Sequence, residues 1–406
     1  MARRLIWVLV SAAVLGACTA EADSSTATTA IETTTTTQDR EPVVADPGRL
    51  AIVDGSGNIV VMDPDGANRR AITDRGDNPV LYMQPVWSPD GSRLAWGQRT
   101  GTGFGIGIGR PGSEETKTLL TPSLPFYTYW SPDSRHQGAL HNGERGVQFQ
   151  IADIDSETTE ILDEDAPFYF SWSPSGDRVV THAGPSRAET ITPDGDRVEL
   201  EPTAATFLAP QWTEAGVFHV AGDQLVVEDD SGRRAGIAAV SGLTMFVSNA
   251  QGTHVGLQTT GESGPVTAST EEIPMVDGDS VVVVDVATGG IEVVDGALAL
   301  GFFWSPDGRS LLVLTTSQNR VVPAVWSLGE ERVDYTGYQP QGQMLEDTFP
   351  FFPQYAQSVS FWAPDSSAFA FAGAIDGESG IWVQGVDEAT PTRVSDGAWV
   401  AWSPAP

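Results

Sequence analysis

The sequence contains almost no cysteine and almost no lysine. Among its 406 residues, Cys18 is the only cysteine and Lys117 is the only lysine. A single cysteine excludes a disulfide within the chain, so an exported folded body must depend on the burial of apolar side chains. Beyond residue 18, no apolar run is long enough to cross a bilayer as a helix.

Positive charge is also scarce. The chain has 22 Lys and Arg residues against 54 Asp and Glu residues, which gives a formal net charge of -32 at pH 7. A surface of this sign repels the phosphates of nucleic acids and of anionic lipid headgroups. We therefore expect no nucleic-acid partner.

The first 17 residues have the organisation of a secretion signal. Arg3 and Arg4 precede an apolar stretch from Leu5 to Leu15, which is the order of regions in a signal peptide. The residues Leu15-Gly16-Ala17-Cys18 resemble a bacterial lipobox. This resemblance implies that residues 1–17 are removed and that Cys18 becomes a diacylated N-terminus. The alternative is an ordinary cleaved signal with an incidental cysteine.

Residues 18–47 have the composition of a disordered tether. They are rich in Thr, Ser, Ala and acidic residues, with consecutive threonines from Thr33 to Thr37, and poor in large apolar side chains. A flexible segment of this length reaches about 30 Å on average. We expect it to separate a folded domain of residues 48–406 from the cell membrane, on the periplasmic or extracellular side.

The pentad Trp87-Ser88-Pro89-Asp90-Gly91 recurs along the rest of the chain. Successive tryptophans lie 43, 42, 40, 92, 58 and 40 residues apart, and a copy without Trp, around Val247, lies in the 92-residue gap. A period near 40 residues that combines turns with strands is typical of a β-propeller. The repeat-defining tryptophans are Trp87, Trp130, Trp172, Trp212, Trp304, Trp362 and Trp402.

Each pentad predicts a tight reversal between two strands. Ser occupies the first turn position, Pro fixes φ at the second, Asp takes the third, and Gly accepts a positive φ at the fourth. The residues after Gly91 alternate as a strand does, with Leu94 and Trp96 on one face. An apolar run and a short polar run follow, so each repeat predicts the four strands of one propeller blade.

These motifs resemble the TolB-type, WD-like propeller repeat. Its pattern is a Trp-Ser-Pro-Asp-Gly turn, an apolar strand, an aliphatic run ending in Asp-x-x-Gly, and a Leu-Thr strand. Met62-Asp63-Pro64-Asp65-Gly66, followed by Ile72-Thr73, fits this pattern. The resemblance covers residues 48–406 and implies an all-β fold, a single β-propeller of four-stranded blades. It does not specify a function.

The two ends of the repeat region predict how the ring closes. The chain ends with the first half of a repeat, at Trp402, and the segment from Leu50 supplies the missing second half. We therefore expect the N- and C-terminal strands to share one blade, which removes an open sheet edge. Counting the Val247 copy and the shared blade gives eight blades. Seven is the alternative if the Val247 repeat is irregular.

Two insertions interrupt the period. One runs from Thr260 to Gly278, between the second and third strands of the Val247 blade; the other runs from Gln339 to Ser358, before the first strand of the Trp362 blade. In an up-and-down blade, both connections emerge on the face opposite to the Trp-Ser-Pro-Asp-Gly turns. We predict that both insertions project from that face, which we name the insertion face.

Aromatic residues collect at the starts of the inner strands, on the same face. Large rings with polar tips at a channel mouth stack sugars or bind a peptide. The alternative is that these rings fill the central axis and pack adjacent blades. The candidate binding residues are Tyr82, Phe126, Tyr127, Tyr129, Phe168, Tyr169, Phe351, Phe352, Tyr355 and Trp399.

Three of the five histidines fall near the second strand of consecutive blades, at His182, His219 and His254. Some propeller lyases resembling this chain use a histidine-built metal centre, but their pattern does not map onto this sequence. Structural histidines are the simpler interpretation. We expect no metal site and no cofactor.

Signatures of catalysis are otherwise absent, because the chain has no Gly-x-Ser-x-Gly motif and we identify no catalytic residue. These features together predict a lipid-anchored, extracytoplasmic, monomeric propeller that binds or scaffolds an envelope protein, peptide or glycan. The alternative is a propeller enzyme, a polysaccharide lyase or a hydrolase, with its active site in the central channel. Spatial convergence of the three histidines would favour the enzyme.

Overall fold

A computed structural model describes residues 47–76, 80–113, 115–200, 209–260, 279–342 and 344–404. The predicted signal peptide, the predicted tether with Cys18 up to residue 46, and residues 261–278 of the first insertion lie outside these described residues. Within the described ranges, no helix has the length and apolar character needed to span a membrane.

The described chain forms eight four-stranded antiparallel sheets, which are the blades of the ring. It begins with β1 (Leu50–Val53), β2 (Ile59–Met62) and β3 (Arg70–Ala71). Blade 1 contains β4 (Leu81–Trp87), β5 (Leu94–Thr100), β6 (Gly103–Gly109) and β7 (Thr116–Thr121). Blade 2 contains β8 (Pro125–Trp130), β9 (His136–Asn142), β10 (Val147–Asp153) and β11 (Thr158–Asp165). Blade 3 contains β12 (Phe168–Trp172), β13 (Val179–Ala183), β14 (Arg187–Ile191) and β15 (Arg197–Glu199).

The remaining repeats continue in the same order. Blade 4 contains β16 (Gln211–Thr213), β17 (Gly216–Ala221), β18 (Gln224–Glu228) and β19 (Arg234–Ala239). Blade 5 contains β20 (Leu243–Ser248), β21 (His254–Thr260), β22 (Val281–Asp285) and β23 (Ile291–Asp295). Blade 6 contains β24 (Ala299–Trp304), β25 (Ser310–Ser317), β26 (Arg320–Ser327) and β27 (Val333–Asp334). Blade 7 contains β28 (Gln339–Pro340), β29 (Ala368–Ile375), β30 (Glu378–Gly385) and β31 (Thr392–Ser395), and β32 (Trp399–Trp402) follows.

The two ends of the chain close the ring in one sheet, blade 8. Strand β1 pairs antiparallel with β32, and Leu50 lies opposite Trp402. The sheet order β3-β2-β1-β32 places the C-terminal strand innermost. This confirms the predicted shared blade, and the complete sheet formed by β20 to β23 confirms eight blades rather than seven.

The burial of the strands explains their sequences. Blades pack face to face, so central strands such as β2 and β22 are buried on both faces. The four residues of β2 and the first four of β22 form continuous buried apolar runs. Outer strands have a different composition because solvent covers them; all three residues of β15 are exposed. Apolar strands followed by a polar strand in each repeat therefore reflect the order in which a blade goes from buried to exposed.

The Trp-Ser-Pro-Asp-Gly turns form as the sequence predicts. In blade 1, the Gly91 amide donates to the Ser88 carbonyl at 2.8 Å, and Gly91 has a φ of +67°, in the left-handed region that glycine adopts without steric cost. The Ser88 hydroxyl donates to the Asp90 carboxylate at 2.6 Å and accepts from the Arg93 amide at 2.9 Å. Ser and Asp thus stabilise the turn through their side chains as well as through their backbone preferences.

The repeated tryptophans join neighbouring blades. The indole N–H of Trp130 donates to the carbonyl of Val86, the residue before Trp87, at 3.3 Å. Four more indoles form the equivalent bond to the preceding blade, at 2.8 to 3.2 Å. These pairs are Trp87 with Ala401, Trp172 with Tyr129, Trp304 with Val247, and Trp362 with Phe303. Each indole therefore provides both apolar burial and a hydrogen bond between two inner strands.

Blade 4 departs from this arrangement. Trp212 is half-buried, and its indole has no hydrogen bond within the described chain, although its backbone amide donates to the Ser171 hydroxyl at 2.9 Å. The buried apolar residues of blade 4, such as Phe218 and Leu225, cluster with blade 5 rather than with blade 3. Among the described residues, the interface between blades 3 and 4 therefore has no apolar cluster shared by the two blades.

The inner strand of blade 7 is interrupted, which corrects the predicted boundary of the second insertion. Gln339 and Pro340 pair with β29 at one end, and Trp362 pairs with Phe369 at the other. The predicted insertion start at Gln339 is wrong because these residues already belong to the strand. Between the two ends, a π-helical turn (Met344–Thr348), a 3₁₀ turn (Phe349–Phe351) and the helix α1 (Phe352–Tyr355) form the plug segment, residues 344–355.

The plug segment turns into the centre of the ring. Helix α1 contacts the inner strands β12, β20 and β24. The Gln354 side chain donates to the Phe170 carbonyl at 2.7 Å and accepts from the Phe170 amide at 3.1 Å. The Gln354 side-chain amide thus satisfies the backbone N–H and C=O of Phe170 at the innermost edge of blade 3, as a neighbouring strand would.

We expect Trp172→Phe to lower the free energy of unfolding by about 2–4 kcal/mol, because the partly buried Tyr129 carbonyl loses its donor and a cavity forms. The matched control, Trp212→Phe, should cost less than about 1 kcal/mol, since that half-buried indole has no hydrogen bond to lose. Urea denaturation followed by circular dichroism measures both losses. Equal losses would contradict a blade-joining role for the indole bond.

We expect Gln354→Glu to lower the free energy of unfolding by about 3 kcal/mol, because the new carboxylate is buried and faces the Phe170 carbonyl without a donor. Gln357→Glu is the control at a half-buried position of the same insertion, where we expect a loss below about 1 kcal/mol. Urea denaturation and limited proteolysis of the plug segment check this. If the two variants behave alike, the Gln354 amide does not anchor the plug.

Candidate functional site

The structure places the ten predicted binding residues on the inner strands and the plug segment, mostly buried. Seven lie on inner strands and three lie on the plug segment. Phe351 is the exposed member, with 45% of its surface accessible. The half-buried members are Tyr82, Phe126 and Tyr129, and the buried members are Tyr127, Phe168, Tyr169, Phe352, Tyr355 and Trp399.

Six of these residues line one cavity of about 450 Å³ between blade 2, blade 3 and the plug segment, which we name the aromatic cavity. The six are Phe126, Tyr127, Phe168, Tyr169, Phe351 and Tyr355. The remaining wall consists of Leu140, Asn142, Val147, Pro167 and Gln354. The volume lies within the range of small-ligand sites, and the lining is mostly aromatic and aliphatic.

The phenol groups at the base of the aromatic cavity bond to the protein itself. Tyr127 donates to the Gln354 carbonyl at 3.0 Å, and Tyr355 donates to the Phe126 carbonyl at 2.8 Å. The Tyr127 and Tyr355 rings meet edge to face, 5.0 Å apart. Burial raises the pKa of Tyr127 and of Tyr169, so both phenols stay neutral at physiological pH. The cavity therefore presents ring surfaces rather than charge.

The other four predicted residues pack the ring outside the cavity. Phe352 is fully buried against Phe302, with ring centroids 4.8 Å apart. Trp399 is fully buried and donates to the Pro85 carbonyl at 3.3 Å. The remaining two contact neighbouring rings at 6.3 Å, for Tyr82 with Trp96, and at 5.9 Å, for Tyr129 with Phe170. These contacts are of the packing type that the alternative interpretation of the aromatic residues predicts.

An ion-pair network joins blades 2 and 3 beside the aromatic cavity. Arg187 of blade 3 contacts Asp163 at 2.6 Å and Asp165 at 3.2 Å, both on blade 2, and Asp165 lies opposite the cavity residue Val147. Burial raises the pKa of Asp163, but hydrogen bonds from Arg187 and Arg197 outweigh it and hold the pKa below its ordinary value. Asp163 therefore stays ionised and keeps the two cavity walls together.

The histidines that the sequence singled out do not all converge. His182 and His219 line a second cavity, between blades 3 and 4. His254 lies elsewhere, 3.8 Å from Asp285 and with its ring 6.3 Å from that of Trp304. Over the described ranges, no three His, Cys, Asp or Glu side chains are close enough to hold a metal ion.

Of two residues that shape these cavities, the sequence did not indicate Gln354, and it indicated Trp212 only as a repeat residue. Gln354 lies in an insertion without repeat partners, so no periodic signal marks its pairing with Phe170. The pentad at Trp212 is a degraded copy, because Thr213 and Glu214 stand where other repeats have Ser and Pro. That lost turn chemistry was the available sign of an irregular blade interface.

No protein-family model matches the sequence, and no curated protein matches it. Solved structures with similar folds include an oligogalacturonate lyase in complex with manganese, with 10% identity over 84% of this chain and 98% of that chain and a TM-score of 0.52. A eukaryotic initiation factor matches with 11% identity, 88% and 99% coverage and a TM-score of 0.54. TolB from Acinetobacter baumannii has 14% identity and a TM-score of 0.39, and the match covers 69% of this chain but 61% of the TolB chain. At these identities the similarity shows the fold alone: this chain is an eight-bladed β-propeller.

Proposed function

We propose that the protein is a lipid-anchored binding module of the cell envelope and that it binds a peptide segment of an envelope protein in the aromatic cavity. The observation that carries this proposal is the convergence of six aromatic residues from two blades and the plug segment on one cavity. Phe351 adds an exposed ring at its edge. Such surfaces bind aliphatic or aromatic side chains.

The hydrogen-bonding groups of the cavity favour a peptide over a glycan. The Tyr127 and Tyr355 hydroxyls donate to backbone carbonyls, and the Gln354 amide bonds to Phe170. A sugar needs several polar partners for its hydroxyls, because a buried hydroxyl without a partner is unfavourable. The net charge of -32 further favours a partner segment with basic flanks.

The plug segment favours a binding role over an enzyme with its site in the channel. Its helix contacts inner strands of blades 3, 5 and 6, so it occupies the axis where a channel enzyme would hold its substrate. The lipid on Cys18 and the tether would place the propeller on the periplasmic or extracellular side of the cell membrane.

We expect Phe351→Ala to reduce the capture of partner proteins from detergent-solubilised envelope about tenfold, because the exposed ring at the cavity is lost. Leu345→Ala is the matched control, since Leu345 is a similarly exposed apolar residue of the plug segment but does not line the cavity. Quantitative mass spectrometry of the captured proteins measures the difference. A glycan array with the same variants tests the other ligand class, and unchanged protein capture by Phe351→Ala would overturn the proposal.

We expect Cys18→Ala to abolish incorporation of labelled fatty acid and to release the protein from the membrane fraction, because the thiol is the acylation site. Thr19→Ala is the control, since it alters the adjacent residue and keeps the thiol. Labelling followed by fractionation measures both effects. Membrane retention of Cys18→Ala would contradict the lipid anchor.

A further inference from the structure

A second cavity, of about 290 Å³, lies between blades 3 and 4, where the Trp212 indole has no hydrogen bond within the described chain. We name it the seam cavity. Trp212, whose indole does not bond to blade 3, lines it together with Val180 and Ala188 of blade 3 and Val220 of blade 4. A dry apolar cavity of about 150 Å³ is sufficient to bind benzene. The seam cavity is therefore large enough for a body of two aromatic rings.

The seam cavity has a polar group on its wall. His219 is buried, with 8% of its surface exposed, and its Nε2 lies 3.3 Å from the Glu228 carboxylate. Its Nδ1 has no hydrogen-bond partner within the described chain. Burial, and after it the nearby Arg234, lower the pKa of His219 more than Glu228 raises it, so the neutral imidazole is favoured. Arg234 in turn donates to Glu228 at 2.6 Å. The wall therefore offers a hydrogen-bonding group without a net positive charge.

The seam cavity continues into a wider cleft of about 650 Å³ on the face of the Trp-Ser-Pro-Asp-Gly turns, and Trp212 lines both. The residues that line the cleft include four acidic ones, Asp177, Glu214, Asp229 and Asp230, and one basic one, Arg178. Arg178 pairs with Asp177, and Arg233 pairs with Asp229. Glu214 and Asp230 have no ion pair within the described residues. The cleft thus has negative charge that a ligand can neutralise.

We propose that the seam cavity and its cleft form a binding site for a small organic cation, an arylalkylamine whose ring body enters the cavity beside Trp212 and whose ammonium group lies near Asp230. The apolar walls bury the rings, and the unpaired carboxylates attract the ammonium group. The Trp212 face adds a cation-π surface at the junction between cavity and cleft. This site lies on the face opposite to the aromatic cavity and does not depend on the function proposed above.

Isothermal titration calorimetry of the full-length protein in detergent tests this site. The probes are 2-(1-naphthyl)ethylamine, its neutral analogue 2-(1-naphthyl)ethanol, and the anionic 1-naphthylacetate. We expect the amine to bind at least tenfold more tightly than the alcohol, and the carboxylate to show no measurable binding. Raising the salt concentration should weaken binding of the amine but not of the alcohol, because only the amine has a screened electrostatic contribution.

Matched variants locate the site. Asp230→Asn should weaken binding of the amine about threefold to tenfold, whereas Asp194→Asn, an equal charge change on an exposed turn of blade 3 outside both cavities, should leave it unchanged. Ala188→Phe should abolish binding by filling the seam cavity. If Ala188→Phe fails to fold, the two surface variants still decide the question. Equal binding of amine and alcohol, equal effects of the two Asp variants, or no binding of the amine would overturn the proposal.

Discussion

The hydrogen bond from a buried indole to the inner strand of the preceding blade is the interaction on which the ring depends. A propeller blade buries both of its faces against neighbours, so each interface needs a side chain that is large, apolar and able to satisfy a backbone carbonyl. Tryptophan meets all three needs with one donor. Trp130 bonds to the residue before Trp87, and Trp172 bonds to the residue before Trp130. Each bond therefore sets the inner strands of two adjacent blades at the same relative position along their length. The shared blade then closes the ring, with Leu50 of β1 paired opposite Trp402 of β32.

Glutamine provides a second solution where the indole is missing. At the interface of blades 4 and 5, Ser248 stands in the Trp position, and the Gln211 side chain donates to the Phe246 carbonyl at 2.9 Å and accepts from the Ser248 amide at 2.7 Å. Gln354, from the plug segment, likewise donates to a carbonyl and accepts from an amide, here both of Phe170. A primary amide has a donor and an acceptor spaced like those of a peptide group, so it satisfies an inner strand without a neighbouring strand.

The fold was predictable because its determinants are local and periodic. The pentad turn, the spacing of the tryptophans and the truncated repeat at Trp402 each act within one or two blades. Together they predict a closed ring of eight blades, with seven as the alternative. The plug segment was not predictable in this way. Its position depends on Gln354 and Tyr355 meeting β12 and β8, which are distant in sequence and unmarked by any repeat. The sequence indicated the aromatic residues because they occupy matching positions at the starts of the inner strands. Which of these rings line a cavity depends on contacts with the plug segment, which the sequence does not show.

The two cavities flank blade 3, and the same constraint explains both. The Trp172 indole joins the inner strands of blades 2 and 3, and the cavity at this interface lies at one end of the blades. The aromatic cavity lies at such an end, between blades 2 and 3, beneath the exposed Phe351. Between blades 3 and 4 the Trp212 indole does not bond to blade 3, and the space extends into the interface itself. The ring closes only if every pair of adjacent blades stays in contact. An interface that contains a cavity therefore depends on the adjacent interfaces to hold its blades in place. The indole bond of Trp172 and the Asp163 ion pairs supply that support on the other side of blade 3.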